Sequence, residues 1–170
     1  MAILGSTTVY GALSVTDNVS VTGTVTGSKV YNAVFNDYAE LFKKDDSSKD
    51  YKPGYIIELN PKTNKYRYST SKKSKYLVGV VSDSYGHLVG GDEGKTMVEN
   101  LKTYIPVGLC GRVDVFIKGK VKIGDLITSS DIEGVGVVSK FCRPGTIIGK
   151  ALEDKNTTGI DKVKILILNR

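Results

Sequence analysis

Apolar and polar residues alternate through the first thirty positions. Read in sixes, residues 7–30 run TTVYGA, LSVTDN, VSVTGT, VTGSKV. Val9, Val15 and Val21 are spaced six apart, and so are Leu13, Val19 and Val25. A period of two predicts short β-strands with one apolar face. Thr and Ser fill the other face, and Asp17-Asn18, Gly23 and Gly27-Ser28 supply turns. A few valines on one face cannot offset a backbone ordering cost of roughly 1–2 kcal/mol per residue, and an isolated hairpin in water is marginal at best. The repeat therefore predicts intertwining with identical chains; packing on the chain's own following domain is the alternative. The opening MAILGSTT reads as part of something longer.

The spacing then changes. Val30, Val34, Phe35, Tyr38, Leu41 and Phe42 fall three and four apart. That predicts a short helical or irregular segment with one buried face. Asn36 or Asp37 suits its N-cap, and Glu40 stands near the capping-box position. Beyond it the pattern is mostly strand: PGYIIELN, KYRYST, the continuous apolar run KYLVGVV, IPVGLCGRVDVFIK, KIGDLITSS, EGVGVVSK, GTIIGKALED and DKVKILILN, punctuated by Gly and Pro. A helix is expected only at GKTMVENLKTY. The fold class is all-β, with a shaft segment over 1–36 and a compact β-barrel or sandwich over 37–170.

Charge adds one local feature. The 170-residue chain carries a formal net charge of +6, and residues 43–76 hold ten Lys/Arg against four Asp/Glu, which equals the whole excess. A basic patch interleaved with Tyr51, Tyr55, Tyr66 and Tyr68 suits a polyanion, nucleic acid included. Lysine-decorated turns beside half-buried strands are the preferred explanation, since edge lysines also discourage strand aggregation. No apolar run approaches the roughly 18 residues of a membrane span, and the N-terminus lacks the basic and apolar regions of a signal peptide, so no membrane insertion is expected.

Candidate chemistry is sparse. One His, two Cys and no Trp argue against zinc and most His-based catalysis, and no metal or cofactor is expected. Cys110 reads as a small buried hydrophobe; pairing with Cys142 stays open. Ser82, Asp83 and His87 crowd into VVSDSYGHL and read as a turn, because triad members come from separated parts of a chain. In GKVKIGDLI, Gly124-Asp125 makes a turn while Ile123, Leu126 and Ile127 pack.

Taken in order, VFNDYAELF, PGYIIELN, YLVGVVSD, IPVGLCGRVDV, GKVKIGDLITSS and GTIIGKALED carry a resemblance over roughly residues 30–168. The chain resembles the C-terminal domains of phage tail fibres and neck-appendage spikes. In particular it resembles the peptidase G2-type intramolecular-chaperone domains that cleave themselves off after assembly. The resemblance implies a homotrimer attached to an upstream shaft, in a virion assembled in the bacterial host cytoplasm. It places a scissile bond at Asn36–Asp37, with Asp37 and Glu40 as acidic participants. It departs from the family pattern where ELFKKDDSS replaces a Trp-containing stretch. Contact with a host surface receptor is expected on tip loops, with Tyr66, Tyr68 and His87 as candidate contact residues. The leading reading is a structural fibre tip that trimerises, registers and caps the shaft without enzymatic activity. An autoproteolytic endopeptidase and a basic nucleic-acid-binding domain are the alternatives.

Overall fold

The computed structural model describes residues 7–17, 19–28, 37–141 and 143–168. The chain divides into two units, Met1–Tyr31 and Asn32–Arg170. In the first, the described residues form bends and extended backbone with no strand. Among the described residues the predicted strands are thus absent. Val9, Val15 and Val21 are half exposed, and Leu13, Val19 and Val25 more so. With no apolar partner for one face, nothing offsets the cost of ordering a ladder.

The second unit begins with a strand where the spacing predicted a helix. β1 (Asp37–Lys43) is followed by β2 (Ile56–Asn60), β3 (Lys65–Tyr68), β4 (Leu77–Val81) and β5 (His87–Gly90). The helix α1 (Met97–Thr103) precedes β6 (Tyr104–Lys118), β7 (Leu126–Ser129), β8 (Gly136–Ser139), β9 (Gly149–Ala151) and β10 (Ile160–Ile167). α1 lies where a helix was expected and opens on a capping box between Thr96 and Glu99. Among the described residues no helix is long and apolar enough to cross a membrane.

The sheet closes on itself. β6 pairs with β8, β8 with β7, β7 with β9, β9 with β10, and β10 returns to β6. β6 spans 15 residues, and only its second half belongs to that barrel. Its first half carries β1 on one edge and β4 on the other. β4 continues the sheet through β2 to β3, while β5 runs parallel to β1. One apolar cluster fills the barrel around Val115, Ile117, Ile127, Ile148 and Ile165. A second gathers Tyr51, Ile57, Tyr68, Val81, Ile105 and Val107. β2 lies between them: Ile56 enters the first and Ile57 the second. Such two-sided burial matches the adjacent isoleucines at its start.

β1 corrects the helical expectation because both of its edges are taken by ladders, parallel to β5 and antiparallel to β6. Asp37, Ala39 and Leu41 face inward and Tyr38 outward. The alternation was hidden because its first inward residue is an aspartate. Cys110 is exposed rather than buried, since it stands opposite Tyr38 on the outer side of β6. Cys142, Val30, Val34, Phe35 and Asn36 lie outside the described residues. Ile123 is 68% exposed at its turn while Ile127 is fully buried, because only the residues of β7 proper reach the barrel interior. Lys155 is a buried cation held by carbonyls: its Nζ donates to Gly119 O (2.6 Å), Gly159 O (2.7 Å) and Thr157 O (3.3 Å).

β4 sits unusually close to β6. A Cβ at Gly79 would run into the Gly108 carbonyl oxygen and the Val107 side chain. Gly79→Ala is expected to cost about 3 kcal/mol by overpacking, read as a lowered urea midpoint. An unchanged midpoint would show that the two strands have room to part.

Candidate active site at the start of β1

β1 begins at Asp37, opposite Gly111 of β6. The ladder slips by one residue between Tyr38 and Ala39, so Cys110 faces Tyr38 while Gly108 faces Ala39. Such a bulge re-aims side chains, and here Asp37 and Ala39 are both fully buried. The Asp37 carbonyl accepts the Gly86 N–H at 2.9 Å. Its carboxyl Oδ1 accepts the Ser82 hydroxyl at 3.0 Å. Its Oδ2 is buried with no hydrogen-bond partner. That oxygen lies over Gly108, where an added Cβ would stand 2.6 Å from it.

Ser82 is itself buried and held. Its N–H donates to Pro106 O at 3.0 Å, and its Oγ accepts the Ser84 N–H at 3.4 Å. Burial pushes the Asp37 carboxyl above its ordinary value, because the charged form loses its hydration. The Ser82 hydrogen bond opposes that rise and the nearby Asp83 charge adds to it. Solvent space adjoins Ser82. A cavity of about 30 Å³ is lined by Pro53, Val81, Ser82, Asp83 and Ser84, among others. A cleft of about 250 Å³ runs past Ser82 and Asp83 to Tyr51, Tyr85 and Tyr104.

Of the residues named from the sequence, the structure brings some together and separates others. Asp37 and Glu40 share β1 but not a face, because an offset of three reverses direction in a strand; Glu40 is half-buried on the outer side. His87 does not approach Ser82 as a triad base would. It is exposed and stacks on Tyr38, with ring centroids 5.2 Å apart and planes 19° from parallel. Tyr68 is only 6% exposed. It packs on Tyr51 and Tyr55, and burial pushes its hydroxyl up to about 12. Its ring is core, not contact surface, which corrects the surface role expected for it. Tyr66 is half-buried against Phe42. The basic stretch is partly consumed within the fold. Lys44 donates to Leu101 O, Lys49 pairs with Glu133, and Arg67 pairs with the buried Glu58.

Ser82 is the residue that sequence reasoning passed over. The available signal was its place as the first polar residue after the buried run YLVGVV. Only the ladder between β4 and β6, flanked by β1, carries it to a residue 45 positions earlier.

The site thus places a buried carboxyl, raised above its ordinary value, on the first residue of a strand, in an all-β domain built on a closed barrel. The chain belongs to the Peptidase_G2 family, the IMC autoproteolytic cleavage domain, whose model matches residues 5–97. That span contains Asp37, Glu40, Ser82 and Asp83 and leaves the closed barrel outside it. Among solved structures, the chain is similar to pre-mature bacteriophage phi29 gene product 12, with a TM-score of 0.65 at 17% identity over 88% of this chain. It spans 24% of that protein's length. The C-terminal fragment of phi29 gene product 12 gives a TM-score of 0.59 at 19% identity, over 78% of this chain and 100% of the fragment. At such identities the likeness is one of fold. A comparison with curated proteins finds no match.

Because burial raises the Asp37 carboxyl on folding, its stabilising contribution is complete below the ordinary value of 3.8 and is lost as pH rises through the raised value. Thermal unfolding from pH 4 upward is expected to show stability declining in that window. Asp37→Asn, which cannot ionise, removes that part of the decline. Identical pH profiles would mean that Asp37 is not held protonated.

Proposed function

We propose that this chain is the C-terminal part of a phage fibre or appendage protein, whose β domain assembles three copies, sets the register of the repeat before it, and is cut from that repeat at Asn36–Asp37. One observation carries the reading. An apolar repeat with nothing to bury its face leads, within a few residues, into a strand whose first residue is a buried carboxylic acid. The repeat needs identical neighbours, because no other arrangement on one short chain hides its valines. The carboxyl belongs to the residue that supplies the nitrogen of the proposed scissile bond. Family membership supports the cutting, and the fold shared with phi29 gene product 12 supports the fibre context.

Glu40 takes a particular place in this reading. Its side chain lies on the face of β1 opposite Asp37, so its part in cleavage is directed toward a neighbouring copy. Cleavage would then wait for assembly, which is the order a removable chaperone domain requires. The segment Ser84–Lys95 and the β2–β3 hairpin with Tyr66 are the surfaces offered to a host receptor, and His87 joins them as an exposed ring. The product belongs in a virion after assembly in the host cytoplasm.

Light scattering on a sizing column, with denaturing mass on the same peak, tests the reading. The expected result is a trimer whose chains are broken after Asn36, and for Glu40→Gln a trimer of whole chains. A trimer of whole wild-type chains would keep the fibre-tip part and remove the cutting. A monodisperse monomer would overturn the assembly on which both parts depend.

A further inference from the structure

We infer that Ser82 is a positioning residue for the cut: its hydroxyl, donated to Oδ1 of Asp37, leaves Oδ2 to carry the carboxyl proton and deliver it to Asp37's own nitrogen as that nitrogen departs. The inference rests on cleavage at Asn36–Asp37 as proposed above. The Ser82 hydroxyl donates to Oδ1 of Asp37, and its oxygen accepts the Ser84 N–H. An ionised Asp37 would then have one side-chain donor for two buried oxygens, too few to replace its hydration. The protonated acid fits better. Oδ1 accepts from Ser82, and Oδ2 keeps a hydrogen with no acceptor yet in place. Gly108 makes this possible, since any side chain there would displace Oδ2.

In the step itself, the oxygen of a water molecule bonds to the Asn36 carbonyl carbon and the Asn36–Asp37 C–N bond breaks. The electron pair of that bond goes to the Asp37 nitrogen, which takes the Oδ2 proton. The proton released by the water returns to the Asp37 carboxylate, so one water is consumed and the acid is restored. The cavity of about 30 Å³ beside Ser82, Asp83 and Ser84 has room for a water. Three elements pack against Asp37. The 82–86 segment brings Asp83 and Tyr85, whose charges act on it or feel it. β5 brings His87, turned outward onto Tyr38. β6 brings Cys110 and Arg112, both exposed.

The test follows fragment formation by denaturing mass in the full chain, across pH 4–9, for wild type, S82A and S82T. Wild-type cleavage should decline as pH rises past the point where Asp37 ionises. S82A should slow cleavage roughly a hundredfold, the lower range for losing acid catalysis. Its declining limb should also move to higher pH, because the hydrogen bond that favours the carboxylate is gone. S82T keeps the hydroxyl and should restore both rate and limb. A S82A chain that is slowed with an unmoved limb, or that cuts like wild type, overturns the inference alone. If S82A does not assemble, S82T decides: an assembled S82T chain that has lost the wild-type limb overturns it. A wild-type chain that stays whole at every pH overturns the cleavage reading and this inference together.

Discussion

Strand β6 is the member on which the other strands depend. Along its second half it closes the barrel by pairing with β10 on one edge and β8 on the other. Along its first half the same two edges hold β1 and β4. One continuous backbone therefore fixes the barrel and the site in a single register. Its inward side chains divide accordingly, with Ile105 and Val107 in one apolar cluster and Val113, Val115 and Ile117 in the other. Because side chains in a strand alternate, a slip of one residue would exchange the buried and exposed sets. The controlled slip opposite Tyr38 and Ala39 is the exception. It falls where Asp37 is turned inward.

Burying Asp37 is costly, and the cost is informative. A carboxyl with one oxygen bonded and the other without a partner is stable chiefly as the neutral acid. Elsewhere in this fold, charged groups are arranged differently. Lys155 is also buried but is surrounded by carbonyl oxygens, and Glu58, which likewise leaves one oxygen without a partner, has Arg67 and Thr70 on the other. Asp37 stands apart from both in having only a serine. It lies within residues 5–97, the span that the Peptidase_G2 model matches.

The two units express one physical problem from opposite sides. The domain from residue 37 onward buries its apolar residues within one chain. The described valines of the repeat are half or more exposed. Membership of a family of self-cleaving chaperone domains is consistent with that contrast.

Much of this was legible from residue order. The all-β class, the single helix among the described residues, the buried central strand at Leu77–Val81 and the unpartnered repeat all follow from local periodicity, which is a property of neighbouring residues. Asp37 and Glu40 were singled out through the DYAE segment and its resemblance to the family. What could not be read there were facts that depend on which strands become neighbours. Position 37 begins a strand because β5 and β6 offer it ladders on both edges. Tyr68 is core because Tyr51 and Tyr55 close over it. Cys110 is exposed because it stands opposite Tyr38. The sequence by itself determined the all-β class and most of the strands from Ile56 onward. Tertiary structure alone decided that Glu40 turns away from Asp37 and that Ser82 turns toward it, because facing directions in a sheet are set by register across strands distant in sequence.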